Sequence, residues 1–362
     1  RYIKTWIGRY VTILNSDIHL TCDVTGGLDS RTNLALLLRA AKVADVDLAS
    51  TVHFNSNSGL KRDRMISELI AKHFNFPIGL ASTKDYRRID LQDSYRIWKS
   101  HYLHSYWPVY FPTVVRSDKH FWTGGFGGGA HRWVTVIGGA QTVTKALERK
   151  RDAFPIADQF DGLISDVEAC IFELTADKNQ PQNTNVCHFR NFRERFHHGR
   201  RSQHINSLSP LAGAGLSAVS RNVQENFLKT QRIFADVIFN STPDLLGFEF
   251  ERGYENFAGK TPEVLINLGI EDSQIDSSGR AFHSGNDATT GRCKFVEELE
   301  MLREEFELSV PSALETNMVS NSDIALARHV LSTAAEAQRF NHRADAKPAA
   351  TTILAAAVAR WT

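Results

Sequence analysis

At 362 residues the chain is longer than one hydrophobic core usually serves, so one large domain or two closely packed domains are expected. Its 42 Lys and Arg against 41 Asp and Glu leave a formal charge of +1, which argues against any general pull toward nucleic acid or anionic membrane. Hydrophobic content of 42% and charged content of 23% are ordinary for a globular protein, and no apolar run approaches a membrane span.

Cys22, Cys170, Cys187 and Cys293 are scattered without a Cys-x-x-Cys pair, which argues against a zinc site or a disulfide framework and makes a reducing cytoplasm the simplest setting. No signal peptide is visible after Arg1, a start that leaves room for an upstream segment.

In chain order, Trp6, Ile7, Tyr10, Val11 and Leu14 recur at spacings of three and four, which predicts an amphipathic helix over residues 1–15 covering a sheet. Ile18 to Val24 reads as a strand, Thr25-Gly26-Gly27-Leu28-Asp29-Ser30 as a tight loop, and the leucines at 34, 36, 37 and 38 as the buried side of a helix. Val46 to Phe54 predicts a second strand. Lys61 to Phe74 predicts a helix with Met65, Leu69, Ile70 and Phe74 on one face, and Phe76 to Ala81 supplies a third apolar segment. This alternation predicts a parallel α/β sheet with right-handed crossovers, and ligands in such sheets sit beyond the carboxyl ends of the strands. Residues 25–30 and His53 to Ser56 would lie at that edge.

The loop itself favours an anion. Two glycines let bare N–H groups come close to a bound group, and a helix start leaves N–H groups without partners. Asp29 suits a hard cation such as Mg²⁺ better than a phosphate. A plain Gly-Gly turn before a helix stands beside that reading, and neither a Walker loop nor a Gly-x-Gly-x-x-Gly helix start is present here. His53 is either a base contact or a partly buried strand-end histidine.

Further on, Tyr86, Tyr95, Trp98, Tyr102, Tyr106, Trp107, Tyr110 and Phe111 form an aromatic series that reads as helical core or as a stacking surface. His120 to Thr123 runs into Gly124-Gly125-Phe126-Gly127-Gly128-Gly129, where the glycines mark either a flexible surface loop or backbone that must approach something closely. From about residue 140 long helical patterns dominate, clearest at 141–153, 156–174, 217–239 and 296–306. Phe189 to Arg201 interleaves arginine with phenylalanine, which suits oxyanion contacts better than a nucleic-acid patch at this net charge. Residues 270–292, rich in Ser, Asp and Gly, are expected to form a mobile loop.

Asp23-Val24-Thr25-Gly26-Gly27-Leu28-Asp29-Ser30-Arg31 resembles the Ser-Gly-Gly-x-Asp-Ser pyrophosphate loop of the N-type ATP pyrophosphatases, most closely in the asparagine synthetase C-terminal-domain family. Thr25 keeps the hydroxyl of the usual Ser, and Arg31 replaces a commonly small residue. Thr123 to Gly128, with Arg132 trailing, resembles the family's second loop, although Gly129 stands where an acid that helps to hold magnesium is expected; Asp118 could substitute. Weaker likenesses follow at Ser209-Pro210-Leu211, which lacks the family's Asp, at Phe227 to Phe234 and at Pro243 to Leu246.

The resemblance implies a HUP/Rossmann-like three-layer nucleotide-binding core over 1–140 and a mainly helical subdomain over 141–362. It implies ATP and Mg²⁺ as cofactors, with Thr25, Gly26, Gly27, Asp29, Ser30, His53, Gly124 and Gly125 binding them and Asp29 as metal ligand. Asp29, Arg132 and either Lys229 or Lys260 would serve catalysis. The implied reaction is adenylation of a small-molecule or peptide carboxylate followed by attack of an amine, or of ammonia from a glutaminase domain or partner. The alternative is a degenerate member that binds nucleotide or a partner protein without turnover.

Overall fold

The computed structural model describes residues 1–57, 59–79, 86–88, 90, 92–96, 114–116, 119–132, 206–251, 265–279, 295–316, 319–337 and 347–359, with single positions at 165, 169 and 186. Two compact units interleave along the chain: Arg1–Tyr86, Arg116–Trp133 and Ile205–Asp287 form one, and Arg87–Val115, Val134–His204 and Ala288–Thr362 the other. A boundary drawn near residue 140 therefore falls inside a segment of the second unit.

The elements run α1 (Tyr2–Leu14), β1 (His19–Asp23), α2 (Leu28–Ala44), α3 (Leu48–Thr51), β2 (Val52–Asn55), α4 (Lys61–His73), β3 (Tyr86–Arg88), β4 (Val114–Arg116), β5 (His120–Thr123) and β6 (Asn206–Leu208), with helices thereafter. Four strands form a parallel sheet in the order β2-β1-β5-β6, while β3 pairs with β4 separately. The α/β architecture with a parallel sheet is as the alternating pattern predicts. Register Cys22↔Thr123 makes β1 and β5 end side by side, so their following loops emerge as neighbours.

α2 is the buried centre of the first unit. Leu28, Leu34, Leu36 and Leu37 are fully enclosed, packed under α1 and under the helix Arg232–Ser241. α1 presents Ile3, Trp6, Ile7, Tyr10, Val11 and Leu14 to this core. Each fully buried aliphatic side chain of this kind stabilises the fold by about 1.5–3 kcal/mol.

Several sequence expectations need correction. The strand predicted from Val46 starts only at Val52: the Asp47 carboxylate caps Ala49 N–H at 3.1 Å, and residues 48–51 make one helical turn first. On α4 the inner face is only partly the predicted one, since Ile70 and Phe74 face the core as expected but Met65 and Leu69 do not. Met65 and Leu69 are 51% and 53% exposed, while Asp63, Ile66, Ser67 and Ile70 are buried. The polar pair faces inward because it hydrogen-bonds the loop after β1. The predicted helix 217–239 is three, Ala214–Asn222, Glu225–Lys229 and Arg232–Ser241, broken where Val223 is extended and Gln231 takes a left-handed φ of 54°.

Of the segment 270–292 expected to form a mobile loop, residues 270–279 are mostly exposed but held at a few points, and 280–292 lie outside the described residues. Ile275 is buried, Arg39 pairs with Asp272 at 2.6 Å, and the Asp276 carbonyl lies so close to Gly8 that a Cβ there would meet it. Of the third apolar segment, Ile78 makes a single parallel bridge to Phe54. The aromatic series beyond Tyr86 and Tyr95, the helices at 141–153 and 156–174, and the Arg/Phe stretch 189–201 lie outside the described residues, apart from single helical positions at 165 and 169.

In the second unit, helices Phe295–Glu315, Asn321–Ala337 and Lys347–Ala359 close on Leu302, Phe306, Ile324, Leu331 and Ile353. Among the described residues no helix is long and apolar enough to cross a membrane.

Candidate functional site

The loop Val24–Gly27 leaves the carboxyl end of β1 and turns directly into α2, whose first turn carries Asp29 and Ser30. Its geometry is set by its own side chains. Thr25 Oγ1 lies 2.5 Å from Ser30 Oγ and accepts Gly27 N–H at 3.1 Å, and Ser30 also donates to the Gly27 carbonyl at 3.2 Å. Thr25 therefore serves the loop through the hydroxyl it shares with Ser.

α4 fixes the other side. Gly26 N–H donates to the Asp63 carboxylate, and Ser67 donates to the Val24 carbonyl at 3.0 Å. A third strand of backbone crosses here: Glu251 N–H donates to the Gly26 carbonyl at 3.0 Å. That crossing segment is tied down by Arg31, whose guanidinium donates to the carbonyls of Leu245, Phe248 and Glu249 and lies 3.7 Å over the Phe250 ring. Arg31 is 1% exposed. Burial pushes its pKa down and the charge of Asp63 opposes that shift.

The second glycine loop lies on the first. A Cβ added to Gly125 would fall 2.5 Å from Ser30 N, and one added to Gly128 would fall 2.4 Å from Asp29 Cγ. Gly127 has φ 85° and sits against Ala212, a conformation and a contact that both require glycine. Close approach, not a free surface loop, accounts for the glycine run. His131 anchors it, donating from Nε2 to the Leu211 carbonyl at 2.5 Å with Nδ1 3.0 Å from Ser220 Oγ.

Arg132 follows, with Nη2 2.5 Å from Asp29 Oδ1 and both side chains about a quarter exposed, at 25% and 27%. Burial raises the pKa of Asp29, and Arg132 counters it by charge and hydrogen bond. For Asp63 too, burial raises the pKa; Gly26 N–H lowers it, Glu251 raises it further and Arg31 lowers it.

Beneath both loops Tyr10, Asn33 and Thr123 form a buried polar triangle. Tyr10 donates to Asn33 Oδ1 at 2.6 Å and lies 2.5 Å from Thr123 Oγ1, and Thr123 also reaches the Leu208 carbonyl at 3.0 Å. It links α1, α2, β5 and β6 at the sheet's carboxyl edge.

Thr25, Gly26, Gly27, Asp29, Ser30, Gly124, Gly125 and Arg132 are thus brought to one place. His53 stands on the adjacent β2, partly buried, with Nε2 enclosed and without a hydrogen-bond partner among the described residues. Lys229 is exposed at the end of Glu225–Lys229, and Lys260 and Asp118 lie outside the described residues. Gly129, in the short 3₁₀ turn Gly128–His131, supplies no side chain. Asp63, Ser67, His131 and the clamp made by Arg31 were not read from the sequence as site residues. The polar residues at 63 and 67, four apart on a helix with Ile66 and Ile70, are the signal that was there to read.

Among the described residues no three His, Cys, Asp or Glu side chains converge as a metal site. Asp29 would be the protein carboxylate for a divalent ion whose other ligands came from phosphate and water, an arrangement that suits Mg²⁺. The chain matches no family model, no curated protein and no solved structure.

Proposed function

We propose that this protein is an ATP-dependent, AMP-forming amide ligase whose first unit is a HUP-like nucleotide-binding core. The observation that carries the reading is the meeting of two glycine loops from adjacent parallel strands on Asp29 and Ser30, at the start of a buried helix. Backbone N–H groups at a helix start, without side chains to keep a ligand away, suit a polyphosphate.

In this reading Gly27, Ser30 and the first turn of α2 cradle the leaving pyrophosphate, and Arg132 supplies a guanidinium to its oxygens. A substrate carboxylate attacks the α-phosphorus, pyrophosphate leaves, and an amine then attacks the acyl-adenylate and releases AMP. Mg²⁺, held on Asp29 when bound, would neutralise phosphate charge. The protein's own part is positioning and preorganised charge, with Lys229 and Lys260 as candidates for a further cation at the α-phosphate. His53 stands on the strand next to the loop, but its Nε2 is enclosed, so a base contact through that nitrogen would need the ring to turn out.

One observation favours a second reading, nucleotide or partner binding without turnover: Asp29 already pairs with Arg132, and Gly129 brings no second acid. Pyrophosphate and AMP release from ATP, measured across a panel of carboxylates and amines, separates the two. The ligase reading expects release that Asp29→Ala abolishes; AMP production unchanged in that variant would sink it.

A further inference from the structure

Asp63 is 3% exposed, and α4 brings its carboxylate to the N–H of Gly26, in the turn that leads into α2. Arg31 balances its charge without being spent on it, because the Arg31 N–H groups go to the carbonyls of Leu245, Phe248 and Glu249. The carbonyl of the same residue accepts Glu251 N–H, and a Cβ at Gly26 would meet Ile66 at 2.9 Å, Asp63 Oδ1 at 3.1 Å and Glu251 Cβ at 3.2 Å. A buried carboxylate is costly without compensation. Here it sits where the backbone before a helix start favours an anion.

We infer that Asp63 is a positioning residue that acts as an internal stand-in for a ligand oxyanion at Gly26, and that it sets the affinity of the loop for polyphosphate. The inference rests on the nucleotide reading above and concerns how that site is regulated. With Asp63 in place, an incoming phosphate meets an occupied N–H and a like charge. With Asn in its place, the amide oxygen still accepts Gly26 N–H, the like charge is gone, and the positive charge of Arg31 is no longer offset by Asp63.

A simple brace makes the opposite prediction, since removing the charged acceptor would loosen the loop and weaken binding. The sign of the change therefore discriminates.

The test is calorimetric titration of magnesium pyrophosphate into the full chain, wild type and Asp63→Asn, with melting curves to verify folding. The expected result is binding by D63N tighter by about tenfold, a modest figure for removing one charge within a few ångströms of a bound anion. If D63N does not fold, Asp63→Ser removes the same charge and is read in the same way. Pyrophosphate binding by a folded variant that equals or falls below wild type overturns the stand-in role; if wild type still shifts its melting temperature with Mg·ATP, the nucleotide reading survives that failure. No binding of pyrophosphate or Mg·ATP by either folded protein overturns both.

Discussion

Gly128→Ala is the sharpest probe of how the two loops fit. The added Cβ would lie 2.4 Å from Asp29 Cγ, 2.5 Å from Oδ1 and 2.8 Å from Cβ. Carbon contacts settle near ~3.5–4.0 Å, so about 1 Å must be found. Asp29 has little room to give it, since its carboxylate is tied to Arg132 and Gly125 crosses its Cβ at a distance where another methyl would fall at 2.6 Å. Either the glycine loop lifts or the Asp29–Arg132 pair breaks. Overpacking of this kind costs about 1–3 kcal/mol, which for a unit of this size lowers the melting temperature by roughly 3–10 °C. Gly215→Ala is the control: nothing lies within 4 Å of its added Cβ, and Ala in a helix gains up to about 1 kcal/mol over Gly. Thermal unfolding with and without Mg·ATP reads both. A G128A protein that melts like wild type and keeps its full ligand-induced shift would refute the packing argument.

Arg31→Met should destabilise the first unit by about 3–5 kcal/mol, because Leu245, Phe248 and Glu249 carbonyls lose their donor and Asp63 loses its balancing charge; the unfolding free energy in urea measures it, and a loss under ~1 kcal/mol would contradict it. Asp63 also predicts a pH dependence. Its pKa in the folded protein is raised, first by burial, so the stability tied to its proton is complete below the ordinary carboxylate range and lost as pH rises through the raised value. The melting temperature of D63N should therefore exceed that of wild type at neutral pH, with the gap closing as pH falls to about 4. A gap that does not change with pH would remove titration of Asp63 as its cause.

What the sequence made legible is local. Val24 to Ser30 spells a strand end, a glycine turn and a helix start within one short window, and Gly124 to Gly129 offers close approach beside a flexible surface loop, a choice that only the packing decides. The parallel sheet followed from the alternation of strand and helix. The strand at Val46 was misread because apolar alternation over 46–54 does not register that Asp47 can cap a turn.

The face of α4 was misread for a deeper reason. Periodicity reports where apolar side chains recur, and Met65 and Leu69 recur at the right spacing while lying in solvent. Asp63 and Ser67 lie inside because the loop after β1 has donors and acceptors, Gly26 N–H and the Val24 carbonyl, that need partners once buried. The same need places Asn33 inside α2 with Tyr10 and Thr123, and His131 against Leu211. In each case a buried polar residue meets backbone or hydroxyl groups that would otherwise be unsatisfied, those of the loop after β1 for Asp63 and Ser67 and those of neighbouring elements for Asn33 and His131. The demand comes from another part of the chain, so a window around residue 63 shows two polar residues spaced among apolar ones but not the groups they serve. It follows that the polar exceptions on the inner face of α4 are the positions that hold the loop after β1, and Asp63, which alone among these brings a charge to the Gly26 N–H, is the one whose substitution should change what the loop binds.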